Sequence, residues 1–144
     1  MLQISRPWGA PVLLPLLAGA VRAGFPSPAE DFIEQQIDLQ RLLVPNRPST
    51  FLVRVAGDSM VLARLFDGDI AVVDRSLSPC DGDIVVVDVD GERSFKVFSR
   101  CGGRLQLSFA NPRFPEFVIP GDAIVEIWGV VSGSINPRRR ASVR

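Results

Sequence analysis

DGDIAVVDRSLSPCDGDIVVVDVDG, residues 67–91, holds one turn-and-strand phrase twice. Asp67-Gly68-Asp69 leads into Ile70-Ala71-Val72-Val73-Asp74, and Asp81-Gly82-Asp83 leads into Ile84-Val85-Val86-Val87-Asp88. Aspartate and glycine supply turns, and β-branched runs suit a pleated surface. Two copies are too few for a stacked solenoid, which needs at least three. The aspartates also lack the alternating oxygen ligands and closing glutamate of an EF-hand calcium loop, so they read as turn residues. Asp90-Gly91 is a further hairpin turn, and it delivers Lys96 on the strand that follows.

Working outward, residues 51–56, 94–98, 105–109 and 124–131 also read as strands. The expected fold is mainly β: a compact domain of twisted antiparallel strands over residues 46–136, with a basic tail at 137–144 containing Arg138-Arg139-Arg140. Upstream lies an arm, residues 1–45, whose apolar run through Val12, Leu13, Leu14, Leu16 and Leu17 is interrupted by Pro7, Pro11 and Pro15. The prolines argue against a continuous helix, and the run is too short to span a bilayer. It superficially resembles a secretory signal, but its positive region is Arg6 alone. Ser27-Pro28-Ala29-Glu30 has the form of a capping box with proline at the first helical position, and predicts a short helix over 28–39 through Phe32, Ile33 and Ile37.

Sixteen basic residues balance sixteen acidic ones, so no global field draws the chain to nucleic acid or an anionic membrane. Direct sequence-specific DNA binding is not expected. Cys80 and Cys101 are too few and too far apart for a zinc site or a disulfide scaffold, they carry no assigned role, and they fit a reduced, cytoplasmic compartment. No metal or cofactor is expected.

The chain has no histidine, which excludes Ser-His-Asp and Cys-His catalysis. It has fifteen arginines and one lysine, Lys96. Arginine stays protonated in a protein, whereas a buried lysine can give up its proton. Gly57-Asp58-Ser59-Met60 follows the first strand of the compact domain, where a strand gives way to a turn and backbone N–H groups can face a developing oxyanion. Gly-Asp-Ser by itself is ordinary turn composition. Paired with Lys96, desolvated by neighbours such as Phe95 and Val97, it becomes a nucleophile with a base.

These residues, taken in order, resemble the LexA/UmuD family of serine-lysine self-cleaving proteins, and UmuD most closely. The resemblance runs through Gly57 to Met60, Asp67-Gly68-Asp69, Gly82-Asp83-Ile84-Val85, Asp90-Gly91-Glu92 and Lys96. It extends upstream through Gly24-Phe25-Pro26-Ser27-Pro28-Ala29, Glu34-Gln35 and Ile37-Asp38-Leu39, and downstream through Gly129-Val130-Val131. It implies a LexA/UmuD-like β domain in which Ser59 attacks and Lys96 is the base. The backbone amides of Asp58 and Ser59 would be the oxyanion donors, and the chain's own Ala23-Gly24 bond the substrate.

The resemblance also implies cleavage promoted by a RecA filament on single-stranded DNA in the SOS response. A trimmed homodimer would then assist a UmuC-type Y-family polymerase in translesion synthesis. The chain departs from the pattern at Val61-Leu62-Ala63-Arg64-Leu65-Phe66, where the family often has glycine-rich or polar residues, and at Ala23, where UmuD has cysteine. The first 27 residues carry no helix-turn-helix pattern, which argues against a repressor. Two alternatives are a type I signal peptidase, whose arginine-flanked lysine box is missing around Lys96-Val97-Phe98, and a non-catalytic polymerase-binding module. Apolar strands such as residues 124–131, together with the apolar arm, favour a homodimer.

Overall fold

The computed structural model describes residues 9–21, 23, 24 and 32–138, which form two units, Met1–Pro45 and Asn46–Arg144. In the first, β1 (Leu13–Leu17) pairs antiparallel with β2 (Ile33–Asp38), with Leu13 opposite Asp38 and Pro15 opposite Gln36. The helix expected over 28–39 is thus corrected for its described part: residues 33–38 are a strand, and the helix, α1, is Leu39–Leu43. Asp38 caps it, accepting the N–H groups of Gln40 and Arg41 at 3.1 and 3.3 Å. The Ser27-Pro28-Ala29-Glu30 box lies outside the described residues. Proline did stop a helix near Leu14, but a strand with one open side tolerates it at Pro15.

The second unit is one antiparallel sheet in the order β3-β4-β8-β5-β6-β7. Its strands are β3 (Thr50–Arg54), β4 (Ile70–Asp74), β5 (Ile84–Val89), β6 (Glu92–Cys101), β7 (Arg104–Ser108) and β8 (Val125–Ile135). This is the mainly β, LexA/UmuD-like fold that the sequence predicts. β4 and β5 lie inside the sheet, and alternate residues face opposite sides. Ala71, Val73 and Val86 pack with Val55, Met60 and Leu65, whereas Val85 and Val87 pack with Phe98, Leu107 and Val130. Because both faces are covered, these strands read as unbroken valine runs rather than as an apolar-polar alternation.

The Asp-Gly-Asp phrases are turns, as expected. Gly68 and Gly82 have φ of 86° and 90°, where a side chain would be strained. Asp83 Oδ2 accepts the Cys80 N–H at 2.8 Å and Asp69 Oδ2 accepts the Phe66 N–H at 2.9 Å, so each phrase closes on its last aspartate. Asp90 and Gly91 join β5 to β6 with Val89 opposite Glu92, both in the positive-φ region that a two-residue hairpin of the primed type requires.

Candidate active site

The Ser59 turn leaves β3 through Gly57, whose φ of 84° lets the chain reverse and whose N–H donates to Asp67 Oδ1 at 2.8 Å. Met60, 1% exposed, anchors the turn in the core beneath Ser59, and a 3₁₀ turn over Val61–Ala63 follows. Ser59 itself is half-buried. The apolar Val61–Phe66 stretch has a packing role here: Leu65 is 2% exposed in the same cluster as Met60. Asp58 and Ser59 both have their carbonyls engaged, by Asn111 Nδ2 at 2.8 Å and by Ala110 N–H at 2.9 Å. Among the described residues, neither the Asp58 nor the Ser59 N–H donates to a protein acceptor.

Lys96 lies mid-strand on β6, opposite Val85, and is 4% exposed. Its Nζ sits 4.6 Å from the ring centre of Phe109 and 4.7 Å from that of Phe117, two rings that meet edge to face at 5.7 Å. Burial disfavours the ammonium and lowers its pKa below the usual lysine value of 10.5. Nζ donates to Ser94 Oγ at 2.7 Å. That bond orients the amine, and in the neutral form it leaves the lone pair unused. Lys96 also borders a cleft of about 500 Å³ whose wall includes Asp90, Glu92, Arg93, Ser94, Phe117 and Val118.

Ser59 and Lys96 are both tied to one short segment after β7. Ala110 holds the Ser59 carbonyl, and the neighbouring Phe109 ring lies against the Lys96 amine. No hydrogen bond joins Ser59 to Lys96 among the described residues, where Lys96 bonds Ser94 instead. Ser94 and Asn111 belong to the site and are missing from the residues that the sequence singles out. Ala23 and Gly24 lie in the arm as exposed bend residues.

The arrangement offers a half-buried hydroxyl on a tight turn with two undonated N–H groups, and a desolvated amine in an aromatic recess. The model of the Peptidase S24-like family matches residues 15–132. The chain belongs to the Peptidase S24-like family. It is 38% identical to the protein SamA of Salmonella typhimurium over 96% of its length and 98% of that protein's. It is 39% identical to the protein MucA of Escherichia coli over 85% of its length and 84% of that protein's. Over 84% of its length it is 41% identical to LexA repressor 1 of Geobacter sulfurreducens, of which it spans only 60%. These UmuD-like S24 relatives support a self-cleaving peptidase of the SOS response with an accessory role in mutagenesis. No helix among the described residues is long and apolar enough to cross a membrane.

Proposed function

We propose that Ser59 and Lys96 form a serine-lysine dyad that cuts the chain's own Ala23-Gly24 bond. The observation that carries this reading is the burial of Lys96 at 4% exposure with its pKa lowered, because only a neutral amine can take a proton from serine. Ser59 Oγ attacks the Ala23 carbonyl carbon while its proton passes to Lys96. The oxyanion is received by the Asp58 and Ser59 N–H groups. Collapse breaks the bond to the Gly24 nitrogen, and Lys96 returns the proton to that leaving amine. Water then hydrolyses the Ala23 ester, again through Lys96, restoring the Ser59 hydroxyl and releasing a chain that begins at Gly24.

Because nucleophile and bond share one chain, or a tethered dimer mate, effective concentration compensates for a modest catalyst. The reaction is promoted by a RecA filament on single-stranded DNA in the cytoplasm. The trimmed homodimer then serves a UmuC-type Y-family polymerase. Intact-mass measurement of purified protein incubated with activated RecA filaments tests this. The expected product starts at Gly24 and is absent with Ser59→Ala; a different start, or equally fast cutting of that variant, would overturn the reading.

A further inference from the structure

Asn111 reaches back 53 residues to the turn that holds the nucleophile. Asn111 is 9% exposed, and both ends of its carboxamide are occupied. Oδ1 accepts the Arg113 N–H at 3.0 Å, and Nδ2 donates to the Asp58 carbonyl at 2.8 Å. The mount is rigid. Asn111 opens a turn closed by the Phe114 N–H on its carbonyl at 3.0 Å, with Pro112 fixing φ at the second position. Since the Arg113 N–H claims the oxygen, the amide nitrogen is the end left facing Asp58.

A trans peptide points its N–H opposite to its C=O. With the Asp58 carbonyl held by Asn111, the N–H of the same peptide unit, which belongs to Ser59, points away from Asn111. That N–H has no protein acceptor among the described residues. The next carbonyl, of Ser59, is held by the backbone of Ala110 at 2.9 Å, and Leu62 N–H binds the Ala110 carbonyl at 2.8 Å. Residues 110 and 111 thus clamp the turn by three bonds, of which the one on the Asp58–Ser59 peptide comes from a side chain.

We infer that Asn111 is a positioning residue, whose bond to the Asp58 carbonyl aims the Ser59 N–H at the oxyanion formed when Ser59 attacks. This rests on the serine-lysine reading above. Asn111 touches neither substrate nor reacting atoms; it acts through the peptide. A donor aimed before the reaction costs nothing to reorganise during it, which is the reason to fix the peptide from a rigid turn.

The test separates this role from that of a turn former. Asn111→Asp keeps an acceptor for the Arg113 N–H but cannot donate to Asp58, whereas Asn111→Ala loses both bonds. Self-cleavage of the full chain is followed by intact mass across alkaline pH, with melting measured alongside and Ser59→Ala as control. Both Asn111 variants are expected to lose about 100-fold in plateau rate, the order seen when one oxyanion donor is removed. The pH midpoint of Asn111→Ala should stay where the wild type has it, because the bonds it loses run to Asp58 and Arg113, while Ser94, Phe109 and Phe117 still face the Lys96 amine. Asn111→Ser, too short to reach Asp58, repeats the test if either variant fails to fold.

Near-normal cleavage by Asn111→Asp beside a slow Asn111→Ala would show that only the turn matters, and would overturn the inference. Wild-type speed in any folded variant, or a displaced midpoint in Asn111→Ala, would do the same. Cleavage by Ser59→Ala would instead remove the dyad reading on which it stands.

Discussion

A lysine that works as a base must be neutral when serine needs it, and burial of Lys96 among Phe109 and Phe117 moves it in that direction. The sign follows: the competent form is the deprotonated one, so cleavage without RecA should rise with pH and level off below the pH at which an ordinary lysine titrates. Lys96→Arg keeps the charge but offers no accessible neutral form, and should abolish cleavage in a protein that still folds, with a lower melting temperature because the buried guanidinium cannot shed its charge. Time courses by intact mass between pH 7 and pH 11 check both statements.

Asp74 shows the opposite balance. Burial alone would raise its pKa, but the Ser76 hydroxyl, the Asn46 amide, the Ser76 N–H and the Ser49 hydroxyl together outweigh it and hold the carboxyl at about 2. With the unfolded value at 3.8, the stabilisation is complete above pH 4 and is lost as pH falls through about 2. Asp74→Ala should therefore flatten the decline in unfolding free energy between pH 4 and pH 2 by about 2 kcal/mol, as read by denaturant titration at each pH.

Elements differ in how plainly the sequence announced them. In the large sheet β4 and β5 were the plainest, because each is a β-branched run opened by an Asp-Gly-Asp turn. β2 was not legible as a strand, because Ile33 and Ile37 are four residues apart, a spacing that puts them on one face of a helix and equally on one face of a strand. β1 was hidden by Pro15. In the proposed site, chemistry alone singles out Ser59 and Lys96, a hydroxyl on a turn and the one lysine of the sequence. Ser94 had a signal, since it lies two residues before Lys96 and so on the same face of β6. Asn111 had none, because its partner is remote in sequence.

β8 carries irregularities on both sides, between Val72 and Val73 of β4 and between Val86 and Val87 of β5. Gly129 sits at one of them, and a Cβ there would stand 2.6 Å from Val73 Cγ1, a stiff and fully buried side chain. Gly129→Ala should cost about 1–3 kcal/mol, measured by urea unfolding, since neither the valine nor the central strand can yield.

At the scale of the whole molecule, every buried residue among those described lies between Val55 and Val130. The β1–β2 ribbon buries none, and a two-stranded ribbon alone is marginal in water. A chain starting at Asn46 should therefore unfold cooperatively with a melting temperature within a few degrees of the full chain; a broad or absent transition in calorimetry would contradict this. Exposed Leu13, Leu14, Leu16 and Leu17 on the ribbon, with Phe51 and Leu52 on β3, leave apolar surface that supports the proposed homodimer. Sedimentation at micromolar concentration should show it.

The solitary lysine also makes the chain a selective labelling target. Amine-directed acylating reagents find one side chain in the sequence to modify, Lys96, and it is shielded by two phenyl rings. Acylation requires the amine to be uncovered and neutral at once, and burial is what favours the neutral form. Slow acylation of this position, followed by peptide mapping, would thus clock how often the recess opens, and a reagent small enough to enter would block the base of the proposed dyad with a single adduct.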